Sequence, residues 1–170
     1  MKSTFFYFMG SLLLVGGLAA CHEKASAPQT PQAGFFVRAT KDAAPWAAPG
    51  TGTYSKARRE FSVLGQAGDA AKAEAFALNF ALPAWPQPAP VRALPAAWRV
   101  LLGYDALTNS YATADAASLP KVEITRLDTV SKVVEGRFSA PLVREKQWTA
   151  KTETMALTDG TFRVHYTTVP

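Results

Sequence analysis

Read for alternation of apolar and polar positions, the chain is a succession of strands. EAFALNFAL, residues 74–82, is the clearest: Phe76, Leu78, Phe80 and Leu82 share one face, and Ala75, Ala77, Asn79 and Ala81 the other. A period of two predicts a strand, because a helix would scatter those four apolar residues around its circumference. KVEITRLD, residues 121–128, sets Val122 and Ile124 against Glu123 and Thr125. KVVEGRFSA, residues 132–140, keeps Val134, Gly136, Phe138 and Ala140 in register. Gly136 predicts a bulge there, or a neighbouring aromatic lying over the strand. GFFVRAT (34–40), REFSVLG (59–65), WRVLLGY (98–104) and SYATA (110–114) are rich in the aromatic and branched residues of strands. DALTNS (105–110) supplies turn residues between the last two.

Near the C-terminus KQWTAKTETMAL, residues 146–157, alternates less cleanly, and Asp159-Gly160 follows. Asp-Gly between alternating segments predicts a tight hairpin, since both residues tolerate positive φ. In the closing TFRVHYTTV, Phe162, Val164 and Tyr166 face one way and Arg163 and His165 the other. Together these segments make about eight or nine strands, with no amphipathic helix of useful length. The expected fold is all-β, an antiparallel β-sandwich or a small calycin-like barrel. Residues 34–170 are expected to form a single β domain. It is interrupted at 83–97 by Pro83, Pro86, Pro88, Pro90 and Pro95. Proline lacks the amide hydrogen that a ladder needs, so this stretch reads as a long surface loop.

The first 33 residues follow different rules. Lys2 precedes an uncharged run from Phe5 to Ala20, rich in Phe and Leu and ending in small residues. That is the layout of a secretory signal helix. The run has 16 residues, three of them glycine, and charged His22-Glu23-Lys24 territory follows at once. Spanning a bilayer takes about 20 predominantly apolar residues. Leu18, Ala19, Ala20 and Cys21, the only cysteine of the chain, resemble the lipobox of bacterial lipoproteins. The resemblance implies that the Cys21 thiol receives a diacylglyceryl group, that the chain is cut just before it, and that the new amine is acylated. A thiolate is the side-chain nucleophile suited to forming that thioether. Residues 1–20 are thus read as a signal peptide and 21–33 as a lipidated cysteine on a flexible tether. HEKASAPQTPQ (22–32) contains no aromatic and no branched aliphatic residue with which to order itself.

Composition narrows the partners. The 170 residues carry 18 Lys and Arg against 13 Asp and Glu, a net charge of +5. The cations are dispersed, and Arg58-Arg59 is their only adjacent pair. A nucleic-acid binder gathers its cations into a stripe or patch, so no nucleic-acid partner is expected and the charge reads as a solvated face. The expected partners are membrane lipid, through acylated Cys21, and an envelope protein or glycan. The expected address is the cell envelope, at the outer membrane, periplasmic or surface-facing.

ITRLDTVSKVVEGRF (124–138) and LTDGTFRVHY (157–166) resemble a group of small Bacteroidetes-type lipoproteins of unknown function. Those proteins close with an I-T-x-x-D strand, a turn, a G-x-F strand and a T-D-G-x-F-x-V-x-Y strand. Ile124, Thr125 and Asp128 match the first piece, and Gly136 and Phe138 the second. Thr158, Asp159, Gly160, Phe162, Val164 and Tyr166 match the third. FFVRATKDAAPW (35–46) is similar to the family's opening strand, with Trp46 in place and Ala43 where a glycine is usual. The resemblance covers the last 45 residues or so well and the proline-rich loop not at all. It implies an antiparallel β fold and carries over no catalytic residue.

Candidate chemistry is sparse. His22 lies in the tether and His165 on the last strand, neither with a second histidine at ligand spacing. H-E-x-x-H, G-x-S-x-G, glycine-rich phosphate loops and C-x-x-C are all missing. Asp105, Asp115, Glu123, Asp128 and Asp159 fall in turns or on polar strand faces, where Asp caps backbone amides. No metal site, cofactor or catalytic residue is therefore expected. Among the tryptophans, Trp46 and Trp98 read as core, whereas Trp85 and Trp148 are the candidate binding residues, since exposed aromatics stack on sugars or anchor partners. The expectation is a non-enzymatic binding or interaction module. A small apolar-ligand carrier of barrel type is the first alternative. An envelope hydrolase whose carboxylates converge only in the fold is the second.

Overall fold

The structure, a computed structural model, describes residues 34–82 and 89–170. The signal, the lipobox (Leu18, Ala19, Ala20, Cys21), the tether and Trp85 lie outside the described residues. The strands are β1 (Phe36–Lys41), β2 (Ala44–Ser55), β3 (Glu60–Gly68), β4 (Ala73–Ala81) and β5 (Ala89–Pro90). They continue with β6 (Ala97–Leu102), β7 (Ala106–Ala112), β8 (Lys121–Asp128), β9 (Val133–Arg144) and β10 (Thr154–Val169). One short 3-10 turn, Ala116–Ser118, is capped by the Asp115 side chain.

All ten strands belong to one sheet, and the sheet closes on itself. Around the ring the order is β2, β3, β4, β6, β7, β9, β10 and back to β2. β1 is wedged into the seam, pairing with Ala44–Pro49 of β2 on one edge and Leu157–Arg163 of β10 on the other. Past the start of β1, β2 and β10 pair directly and in parallel, Thr51–Ser55 against His165–Val169. Every other pairing is antiparallel. Closure removes the open strand edges that invite unwanted pairing. The all-β expectation holds, and the ring makes it barrel-like.

The interior is aromatic. Phe61, Phe76, Phe80, Phe162 and Trp98 are almost wholly buried. Rings from facing walls touch: Phe80 of β4 lies 5.9 Å from Phe162 of β10, and Phe76 of β4 stacks 5.1 Å from Phe138 of β9. Such pairs contribute about 0.5–1.5 kcal/mol beyond the area they bury.

Two glycines make room for these rings. Gly160 pairs with Phe138, and Gly136 with Phe162, across β9 and β10. A Cβ on Gly160 would sit 2.6 Å from the Phe138 ring, and one on Gly136 would sit 2.6 Å from Phe162. Each strand thus lends the other a glycine under its phenylalanine. The aromatic reading of Gly136 holds, whereas the bulge lies opposite it on β8, where Thr125 is the extra residue between Ile124 and Arg126.

Four expectations are corrected. Asp159-Gly160 is not a hairpin turn but a bulge inside the 16-residue β10. Asp159 has φ 50°, and one extra residue on β10 is absorbed between Leu157 and Gly160. The bulge shifts phase: Met155 and Leu157 face inward before it, Phe162, Val164 and Tyr166 after it. Without that extra residue one half of β10 would turn its apolar face to solvent. Second, β2 carries no branched or aromatic alternation, so it was not expected. Its inward residues are Trp46, Ala48, Gly50 and Gly52, and the two glycines leave room for Val164, with the Phe36 backbone also against Gly50. Third, the 83–97 stretch is not wholly loop. β5 pairs with Glu123–Ile124, and the Ala81 and Leu94 amides bond to the Arg92 and Asn79 carbonyls, so this stretch joins β8 to β4. Fourth, the turn at 105–110 gives way to β7 from Ala106, and the expected strand at 146–157 begins only at Thr154.

Replacing Gly160 with alanine is expected to lower stability by roughly 1–3 kcal/mol, since Phe138 must be displaced from a packed core. The midpoint of urea unfolding, monitored by tryptophan fluorescence, reads this. A midpoint equal to that of the unsubstituted protein would count against the Gly160–Phe138 contact.

Candidate functional site

The two ends of the ring are built differently. At the end where β3 turns into β4, Lys41 bonds Glu74 at 2.8 Å and lies 4.6 Å over the Trp98 ring. Trp98 meets Trp46 edge-on at 4.8 Å. Cation, carboxylate and two indoles close that end, as the core reading of Trp46 and Trp98 requires.

The opposite end is open. It is formed by the β2–β3 turn, the β8–β9 turn and the last residues of β10. Phe61, Tyr54 and Tyr166 make an aromatic floor. Tyr54 and Tyr166 each stand 4.9 Å from Phe61, Tyr166 at right angles to it. Leu82 and Leu127 extend the apolar surface, and Lys56, Arg59 and Lys132 stand on the rim. The cleft so enclosed has a volume of about 340 Å³.

The rim is held by an unusual backbone. Arg59 and Lys132 both adopt φ 56°, in the left-handed region. Non-glycine residues enter it at a cost of roughly 1–2 kcal/mol. Each is fastened by its carbonyl to a third strand: Arg59 accepts from the Leu82 amide at 3.0 Å, and Lys132 from the Tyr166 amide at 2.8 Å. The Lys56 amide bonds the Val169 carbonyl at 3.0 Å. The turns that carry the cations are therefore tied to the barrel wall.

What marks these three cations is that they meet at one cleft; like Arg38, Arg92, Arg99, Lys121, Arg137, Lys146 and Lys151, they make no ion pair. Among the described residues the ion pairs use Lys41, Arg58, Lys72, Arg126, Arg144 and Arg163, and none uses Lys56, Arg59 or Lys132. The neighbouring acids are committed elsewhere. Glu60 pairs with Arg58 at 3.5 Å. Asp128 accepts the Ser131 and Val130 amides at 2.9 and 3.0 Å, and lies 3.5 Å from Arg126. Those bonds, the Ser131 amide foremost, hold the Asp128 carboxyl below its ordinary range. Burial, reinforced by Asp128 and Tyr54, raises the Tyr166 phenol above its ordinary value. Lys132 stands 5.8 Å over the Tyr166 ring.

Trp148 is not part of this end. It sits half-buried in the connection between β9 and β10, and its indole N–H donates to Ser110 Oγ at 2.7 Å. Ser110 Oγ in turn bonds Glu145, and the Glu145 amide bonds the Ser110 carbonyl at 3.0 Å. Arg144 reaches Asn109 and Glu153, both at 2.9 Å. The polar handle of Trp148 clasps this connection onto β7. His165 is exposed on β10, 5.9 Å from Phe35. Among the described residues no three His, Cys, Asp or Glu gather as a metal site, and no helix is long and apolar enough to cross a membrane.

The acids with displaced pKa values are drawn down by hydrogen bonds: Asp115 by Ser118, Asp128 by Ser131, and Glu153 by Arg144. Sequence reading placed Asp115 and Asp128 in turns, and there they are. It passed over Lys56, Arg59 and Lys132 as solvated charge. The Arg58-Arg59 pair was the one signal available, and half of it is spent on Glu60.

No family model, no curated protein and no solved structure matches this chain.

A carboxylate whose folded pKa is depressed contributes stability above its unfolded pKa, about 3.9 for Asp, and that contribution is lost as pH falls through the folded value. Unfolding midpoints taken between pH 6 and pH 2 should therefore drop toward acid. Asp128→Asn should flatten part of that slope. An identical slope in the variant would contradict the role given to the Asp128 cap.

Proposed function

We propose that this chain is a non-enzymatic binding module of a bacterial cell envelope, anchored to membrane lipid through acylated Cys21. One observation carries the reading: Cys21, the only cysteine, stands directly after Leu18-Ala19-Ala20 at the end of an apolar run. A single acyl chain binds a membrane only reversibly, at about 0.8 kcal/mol per buried methylene, so stable anchoring takes two or more chains. Residues 22–33 then let the barrel stand away from the bilayer. The resemblance to small Bacteroidetes-type lipoproteins belongs to the same reading, as does outer-membrane placement.

The geometry favours binding at an end of the barrel over carriage inside it. Phe76, Phe80, Phe138 and Phe162 meet across the interior, in the space where a carrier would hold its ligand. Binding also fits better than hydrolysis. Glycosidase-type catalysis needs one carboxyl with a raised pKa beside an ionised one. Here the displaced carboxyls are lowered and serve as turn caps and ion-pair partners.

Expression in a bacterial host, with carbonate washing of the membranes, tests the anchor. The unsubstituted chain should stay in the membrane pellet and take up labelled fatty acid. Cys21→Ala should lose the label and leave the pellet. A Cys21→Ala chain that remained in the washed membranes would overturn the lipid anchor.

A further inference from the structure

We propose that the open end of the barrel binds a small organic anion, a carboxylate or phosphate monoester carried on a short apolar or aromatic body. The inference rests on the binding-module reading and names the ligand class of that module.

The recognition chemistry is divided as such a ligand is divided. The floor is apolar and aromatic: Tyr54 and Tyr166 each pack on Phe61, with Phe61 and Tyr166 almost wholly buried, and Leu82 and Leu127 complete the lining. An aromatic or short aliphatic body packs on those faces with little ordering cost, because the rings already hold one another. The rim is cationic. Lys56, Arg59 and Lys132 come from two turns and stand around one cleft. All three are outside the ion pairs of the described residues. Arg offers a planar fork that takes carboxylate or phosphate in a bidentate manner, and Lys offers a compact point charge.

Like charges gathered without a counter-charge oppose folding, and the barrel shows the remedy at its other end. There Lys41 is matched by Glu74 at 2.8 Å. At the open end the nearby acids are taken: Glu60 by Arg58, and Asp128 by Arg126 and its own turn. An anion from outside that reaches this cleft meets three cations at once, none of them neutralised by the protein.

Size limits the ligand. Sites for drug-sized molecules run from about 300 to 1,000 Å³. A cleft of about 340 Å³ is at the small end, enough for one ring or a short chain beneath a charged head. Preorganisation is built in, since the left-handed Arg59 and Lys132 are fixed through their carbonyls to Leu82 and Tyr166.

The test uses the full acylated chain in nanodiscs of neutral phosphatidylcholine. Phenylpropionate, phenethyl phosphate, the uncharged phenylpropanol and acetate are titrated in turn, and the ring resonances of Tyr54 and Tyr166 are followed by NMR. The expected result is saturable shifts with phenylpropionate or phenethyl phosphate, and binding weaker by about tenfold or more with phenylpropanol and acetate. An Arg59→Gln/Lys132→Gln double variant should lose about tenfold or more in affinity. Its melting temperature is checked, and Lys56→Gln serves as a second variant if the first is unstable. Repeating the titration in phosphatidylglycerol nanodiscs separates the sources. Competition assigns the anion to a lipid headgroup, and its absence assigns it to a free acid. Shifts that do not saturate, equal affinity for phenylpropanol, or unchanged affinity in the rim variants would overturn the proposal. A chain that fails to load into nanodiscs indicts the lipid anchor instead, and the same titration in solution still decides the cleft.

Discussion

The exchange of glycine for phenylalanine between β9 and β10 is the contact on which the rest of the barrel depends. Phe138 lies over Gly160 and Phe162 over Gly136, in registered pairs two residues apart on the same face. Interiors are packed nearly as tightly as organic crystals, so rings this large fit only where the facing wall has given up a side chain. With the two rings seated, Phe76 and Phe80 of the facing wall can meet them, and the interior fills. The Asp159 bulge is the second half of the arrangement. It places Gly160 opposite Phe138 and brings the remainder of β10 into phase with the core. The tail of β10 then reaches β2 in parallel and closes the ring.

Closure makes two ends, and they are treated differently. One is finished with a matched ion pair over tryptophan. The other leaves three cations around a cleft lined by Tyr54, Leu82 and Leu127 over the buried Phe61 and Tyr166, on turns strained at Arg59 and Lys132. Backbone strain of about 1–3 kcal/mol per residue persists only where surrounding contacts over-determine it. Carbonyl bonds to Leu82 and Tyr166 do that here. This end stands apart in gathering three cations from two turns around one apolar cleft.

Much of the wall was legible from period and composition. Residues 121–128 form a strand with the expected bounds, and 74–82 form one shifted by a single residue, because large apolar side chains at every second position leave little choice of face. β2 was not legible, since its inward positions descend to alanine and glycine to fit beneath its neighbours. Asp159 takes the positive φ expected of this pair and Gly160 does not, and the two form a bulge rather than a turn. Local sequence does not reveal that β1 and β9 flank it on both sides. Trp148 looked available because its partner, Ser110, is 38 residues away. The cationic end was hidden for the same reason. Its residues come from segments far apart in sequence and meet only through the register of a closed sheet.

The central claim is that a lipid-anchored barrel holds a small anion at its open end. Native mass spectrometry of the tagged lipoprotein, released gently from its own envelope, tests it most directly. The account predicts an acylated chain carrying one fixed extra mass of a few hundred daltons or less, which fragments as an organic acid or phosphate. A bare, unacylated chain, or an acylated one that carries no small molecule and only a protein partner at fixed ratio, would contradict it.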